Sequence, residues 1–135
     1  EIIVNPMRVR QQYIDELNHN LLLYWTDTSH VSADIIKEQQ QNVKNRNTSS
    51  IESMHRLKQQ AQQMKEALLK GHVGDIGSIL NFGWQHKKQM ADSVSNDFID
   101  EVYAAAIQAG ATGGKISGAG GGGFMFILAK SPAAR

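Results

Sequence analysis

The sequence predicts an α+β domain, a layer of helices on one face of a sheet of about four strands. Three observations carry that expectation. Apolar residues recur at three- and four-residue spacing through the middle of the chain, as amphipathic helices require. Short apolar runs suited to strands stand near both ends. The last two of these runs are joined by a stretch crowded with glycine. Strands at both ends of a block of helices suit segregated α+β layers better than regular strand–helix alternation.

Taken in order, Ile2 to Val4 is expected to open the sheet and to end at Asn5-Pro6, because proline cannot continue a central ladder. Tyr13, Ile14 and Leu17 mark a short helix from Arg10 to Leu17, and Asn18-His19-Asn20 turns the chain. Leu21 to Thr26 is an apolar run that reads as a strand buried on both faces. After the turn Asp27 to His30, Ser29 or Ser32 can cap a helix carrying Val31, Ile35, Ile36 and Val43 and ending near Asn45 to Asn47. Ser49 and Glu52 form a capping box for the next helix. Its stripe of Met54, Leu57, Ala61, Met64 and Leu68 is the clearest in the chain, and Gly71 stands where a C-terminal glycine belongs. Asp75 then caps a helix with Ile76, Ile79, Leu80, Trp84 and Met90 inward. Lys87 and Lys88 near its end suit the negative pole of the helix dipole. A last helix from about Asn96 to Ala109 is expected to bury Phe98, Val102 and Ala105 or Ala106. Two strands follow, Lys115 to Ser117 and Phe124 to Leu128. No internal repeat or linker divides the chain.

Composition bounds the function. At 135 residues the chain can form one domain with a real core. A net charge of +1 gives no electrostatic footprint for nucleic acid or anionic membrane. No apolar run approaches the ~20 residues of a membrane span. The absence of cysteine excludes thiolate chemistry and a disulfide framework and is compatible with the cytoplasm. The chain opens directly on an apolar run without an initiator methionine, so it reads as a piece of a longer protein. The five histidines show no ligand spacing, and no metal site is expected of them. Trp25 and Trp84 read as core residues.

The most informative stretch is Gly110 to Leu128, which holds eight of the twelve glycines. Glycine loses more backbone entropy on folding than any other residue, so this density requires positive φ or close approach to bare backbone. Successive N–H groups in such a loop can form an anion-binding concavity. Gly118, Gly120 and Gly123 match G-x-G-x-x-G by letter, but a strand follows where a dinucleotide fold needs a helix. The triphosphate loop G-x-x-x-x-G-K-[ST] fails as well, since Ala109 and Ile116 occupy two of its positions. A purely structural glycine hairpin is the plain alternative.

The run from Gly113 through Lys115, Ser117 and the glycines to Phe124 resembles the third, C-terminal motif of the GHMP small-molecule kinases. Ile3-Val4-Asn5-Pro6, Leu21 to Thr26, Ser32 to Gln39 and Trp84 to Lys88 extend the resemblance over nearly the whole chain, toward the branch acting on D-glycero-D-manno-heptose 7-phosphate. The resemblance implies the C-terminal domain of such a kinase, spanning residues 1–135, with a ferredoxin-like sandwich and an antiparallel sheet. It implies a cytoplasmic enzyme that phosphorylates a sugar phosphate. ATP and Mg²⁺ would be bound mainly by an N-terminal domain absent from this chain, where the catalytic residue also lies. The own N-terminal domain, ATP and the sugar phosphate are the expected partners. Asp27 and His30 depart from the branch, which has glycine and arginine there; His30 lacks the permanent cation of an arginine.

The residues themselves offer part of a phosphoryl-transfer site. From Val102 to Arg135 there is no Asp or Glu to hold a metal or take a proton. What remains is the Lys115 ammonium, the Ser117 hydroxyl and the backbone of Gly118, Ala119, Gly120, Gly121, Gly122 and Gly123, able to position a phosphate. Thr26, Asp27, Ser29 and His30 form a candidate cleft loop. Lys87 and Lys88 can meet a phosphate or simply end a helix. No catalytic residue is expected in this chain, which alone should be inactive. Other GHMP acceptors, such as a simple sugar or a mevalonate-type alcohol, and a non-catalytic anion- or partner-binding module are the competing readings.

Overall fold

The computed structural model describes residues 2–27, 32–131 and 133. The elements are α1 (Gln11–Asn20), β1 (Leu21–Trp25), α2 (Ser32–Lys44), α3 (Thr48–Lys70), α4 (Ile76–Lys88), α5 (Asp97–Gln108), β2 (Ala111–Ile116) and β3 (Phe124–Ala129). Single 3₁₀ turns at Val73–Asp75 and Asp92–Val94 precede α4 and α5. The class is α+β as the sequence predicts, with an antiparallel sheet in the order β1-β3-β2.

The sheet has three strands among the described residues, not four. Ile2 to Val4 joins no ladder there and is exposed, Ile2 by 91%. Hydrophobic side chains alone do not make a strand; it needs a partner edge, and neither edge strand of the sheet, β1 or β2, pairs with it among the described residues.

Side chains alternate between faces, so the register sorts the core. Leu21 pairs with Leu128 and belongs to a cluster with Ala67, Val73 and Ile76, beneath α1, α3 and the start of α4. Leu22 pairs with Ile127 and points the other way, toward a cluster of Ile35, Trp84, Val94, Ile99, Tyr103, Ile116 and Met125. Helices therefore cover both faces, where the sequence suggested one.

β1 is not buried on both faces. It is an edge strand, and its far half runs past the helices, leaving Leu23, Tyr24 and Trp25 exposed. Trp25 is 48% exposed and Phe124 49%, their rings 4.9 Å apart. Trp84, by contrast, is the core tryptophan, 1% exposed.

Local signals set most helix ends, some at different residues than expected. Gly71 closes α3 in the left-handed region at φ 77. The Ser49 capping box is not used, because Asn47 caps two residues earlier, accepting from the Ser50 N–H at 3.1 Å. Ser50 also donates its buried hydroxyl to the Met90 carbonyl at 3.1 Å. Asp75 makes no side-chain cap, its place taken by the 3₁₀ turn. Asn96 does cap α5, accepting from Ile99 N–H at 2.9 Å. The buried stripe of α5 is Ile99, Val102, Tyr103 and Ala106. Phe98 lies one residue, hence about 100° of helix, away from that stripe and is 44% exposed. α1 absorbs the expected turn Asn18 to Asn20.

α4 lies against β2 with almost no side chain between them. A Cβ on Gly113 would collide with the Gly77 carbonyl oxygen, and one on Gly77 with the Thr112 side chain. Backbone cannot yield as a flexible side chain does. Gly113→Ala should therefore cost about 3 kcal/mol, read as a lower urea midpoint at unchanged m-value. A midpoint within error of the parent would show that α4 and β2 can separate without loss.

Candidate functional site at the glycine loop

The loop from Ser117 to Gly123 joins β2 to β3. Gly118, Gly120, Gly121, Gly122 and Gly123 all have positive φ, from 73 to 140°. L-residues rarely adopt that region, so the glycine run is what permits this path.

The path is held at three places. Ser117 N–H donates to the Phe124 carbonyl at 2.8 Å, closing the loop at its base. Thr26, buried at the end of β1, donates both its N–H (3.0 Å) and its hydroxyl (2.9 Å) to the Gly123 carbonyl. Gly121 N–H donates to the Val94 carbonyl at 2.7 Å. A Cβ on Gly120 would stand 2.6 Å from that same Val94 oxygen, so the loop presses directly on the Asp92–Val94 turn.

That turn is itself anchored. Glu38 of α2 accepts from Asp92 N–H at 2.7 Å, from Ser93 N–H at 3.4 Å and from the Ser93 hydroxyl. The Ser93 hydroxyl first, and the two amides with it, hold the Glu38 carboxyl below its ordinary value against a smaller opposing effect of burial. Sequence reading gave Glu38 no role, because its partners lie more than fifty residues away.

The predicted site residues divide under this geometry. Gly121 spends its N–H inside the protein, and Ala119 packs against the core cluster. The amides of Gly118, Ala119, Gly120, Gly122 and Gly123 have no acceptor among the described residues. Gly118 is exposed and Ala119 and Gly123 are half-buried, so their amides are the ones within reach of an anion, whereas Gly120 and Gly122 are buried. Ser117 stands exposed beside them. Thr26 is brought to the loop as a clamp on Gly123, and Asp27, exposed at φ 53, follows it. Ser29 and His30 lie outside the described residues, so the cleft loop is described only in part.

Two lysines complete the site. Lys115 is half-buried, beside a cleft of about 270 Å³ that Leu17, Leu21, Met64, Leu80 and Phe126 also line. Burial lowers its pKa, and it has no hydrogen bond or ion pair among the described residues. Lys87, in the last turn of α4, donates to the Gly118 carbonyl. Burial first, and the charge of Lys115 second, lower its pKa to about 8. Sequence reading treated Lys87 and Lys88 together, yet the structure separates them. Lys88 pairs with Asp100 at 3.0 Å, over the Trp84 ring. No local signal tells which of two adjacent lysines reaches a loop thirty residues on.

Two outcomes follow from these charges. The Lys87 side chain should titrate with a midpoint near 8 by NMR, not at the ordinary 10.5. Between those values the unfolded chain carries a proton that the folded chain has released. This group therefore makes stability rise with pH across that window, its penalty being fully present below it. A midpoint at the ordinary value would mean that the ammonium is fully solvated. For Glu38 the sign is opposite: its contribution is complete above the ordinary 4.5 and is lost as pH falls through the lowered value. Glu38→Gln should cost about 1 kcal/mol at neutral pH and progressively less in acid, measured by urea unfolding across pH. A loss independent of pH would assign the effect to shape and not to charge.

Comparison with known proteins agrees with this architecture. Residues 64–135 match the family model described as GHMP kinases C terminal. The chain is 42% identical over 127 residues to the D-glycero-alpha-D-manno-heptose 7-phosphate kinase of Campylobacter jejuni, covering 94% of this chain and 37% of that protein. Among solved structures it is similar to a D-glycero-D-manno-heptose 1-phosphate kinase from Bacteroides thetaiotaomicron, with a TM-score of 0.59 and 33% identity over 97% of this chain and 31% of the other. The mevalonate kinase of L. major, solved with R-mevalonate, shares the fold at a TM-score of 0.77 and 23% identity, over 85% of this chain and 35% of that one. The chain thus spans about a third of the length of these relatives. With more than half of its residues inside the family model, and with the glycine loop among them, the chain belongs to the GHMP kinases.

Proposed function

We propose that this chain is the C-terminal part of an ATP-dependent kinase that phosphorylates a sugar phosphate such as D-glycero-D-manno-heptose 7-phosphate. The observation that carries the reading is the clamped glycine loop, several of whose amides are unpaired among the described residues, within a family of kinases. Identity to the Campylobacter enzyme across nearly the whole chain supports the acceptor class.

The work assigned to these residues is positioning and charge stabilisation, the main demands of phosphoryl transfer. Amides fixed by Thr26, Val94 and the base of the loop can orient phosphate oxygens without reorganising as charge develops. The Ser117 hydroxyl adds a donor at the loop entrance. ATP, when bound, supplies the transferred phosphoryl group. The donors here suit phosphate oxygens but not a metal: no group of three or more His, Asp or Glu side chains converges among the described residues. We assign the Mg²⁺ ligands, the catalytic residue and most nucleotide contacts to the remainder of the kinase, and, for a chain without cysteine, the enzyme to the cytoplasm. The exposed apolar surface of Leu23, Trp25 and Phe124, next to an edge of β1 that is unpaired among the described residues, suits packing against that remainder.

The test is ADP release by the full-length protein with ATP and Mg²⁺, offered heptose 7-phosphate, hexose phosphates, free sugars and mevalonate. Selective turnover of the heptose phosphate is expected. Selective turnover of another acceptor would keep the kinase and replace the substrate. In the same assay Gly121→Val should lower kcat/KM by roughly 10²-fold or more, since valine resists φ 74 and would displace the loop from Val94. Unchanged activity would reduce the loop to a structural hairpin.

A further inference from the structure

Two half-buried ammonium groups beside the loop have no counter-charge among the described residues. Four lysine or arginine ion pairs occur among the described residues, made by Lys37, Arg56, Lys70 and Lys88. Neither Lys87 nor Lys115 is among them. No Asp or Glu follows Glu101 in the chain, so neither β2, the loop nor β3 offers a carboxylate. Yet the fold brings the two lysines together from different elements. The last turn of α4 carries Lys87 to the Gly118 carbonyl, and the β2 register places Lys115 opposite Phe126. Each charge raises the cost of the other, and partial burial weakens the screening that would relieve it. A purely structural pair would be cheaper as methionine or leucine beside the apolar lining of Leu17, Leu21 and Phe126. The unspent valence is specific as well. An ammonium has three donors; Lys87 uses one on Gly118, and Lys115 has none engaged among the described residues.

We propose that Lys87 and Lys115, together with the free amides at Gly118 and Ala119, form a binding site for a phosphate dianion at the mouth of the glycine loop. The proposal rests on the kinase reading and deepens it by naming the residues that hold a phosphate group. That group belongs either to the phosphorylated acceptor or to the nucleotide. A dianion there neutralises both ammoniums at once and accepts their free N–H groups. Lys88, held by Asp100 and Trp84, takes no part.

The full-length protein tests this in two arms. In the first, Lys115→Gln and Lys87→Gln are assayed by ADP release against heptose 7-phosphate, free heptose and ATP, with thermal melts to show that each variant is folded. If the site holds the acceptor's phosphate, the kcat/KM ratio of phosphorylated to free heptose falls roughly tenfold or more, and Lys115→Arg restores most of it. If instead the KM for ATP rises by that factor while the ratio holds, the site stands and its phosphate is the nucleotide's. A folded variant that changes neither quantity overturns the proposal. The second arm needs no turnover: inorganic phosphate is titrated into wild type and variants and followed by ³¹P NMR. Binding by wild type that both variants lose upholds the site even if no acceptor is ever phosphorylated, in which case only the kinase reading has failed. No binding by wild type, or equal binding by the variants, rejects the site whatever the kinase assay shows.

Discussion

The contact between the glycine loop and the Val94 carbonyl is the constraint on which the site depends. One oxygen accepts the Gly121 N–H and leaves no room for a Cβ at Gly120, so it dictates both a hydrogen bond and a residue type. Val94 itself is fully buried, and its turn is tethered by Glu38 across from α2. A loop of five positive-φ glycines would otherwise sample many conformations, at a large entropic cost to any ligand it had to grip. With Val94 on one side and Thr26 on the other, that cost is met during folding. The remaining amides are left in place with no other acceptor among the described residues.

α4 links the core to the site. Its start packs with Leu128 on one face of the sheet, and its Trp84 belongs to the cluster on the other. It can serve both because Gly77 and Gly113 let it approach β2 at backbone distance. The same approach sets the height at which the last turn meets the loop, and so delivers Lys87 to Gly118. A larger residue at either glycine would move the helix and its lysine together. Stability and charge placement are thus coupled through two missing side chains.

Electrostatics around the loop are one-sided. The acidic residues of α5 lie in its first turns, where they favour the helix dipole and where Asp100 holds Lys88. Beyond them the chain is free of carboxylates to its end. The net charge of +1 hides this division, because it averages helices that carry both signs of charge with a loop mouth whose two lysines have no ion pair among the described residues. Such local imbalance, and not overall charge, governs what a small anionic ligand meets.

Much of this was legible in the sequence, for a physical reason: those features are local. The long stripe of α3 and its Gly71 terminus, the Asn96 start of α5, the two strands around the glycines and the need for positive φ depend on residues a few positions apart. The family motif is local in the same sense. Features that depend on distant partners were not readable. Trp25 and Trp84 are chemically alike, yet only the sheet order makes one an edge residue and the other core. Ile2 to Val4 has a strand's composition and no strand beside it. Ser50 and Ser53 carry no local sign that their hydroxyls bond Met90 and Gln89, about forty residues on. Lys87 parted from Lys88 for the same kind of reason. The sequence by itself determined the helices, the class of fold and a loop that only glycine can form. Tertiary packing decided which amides of that loop remain free and which cations stand beside it, because both are set by contacts between elements that no short-range pattern encodes.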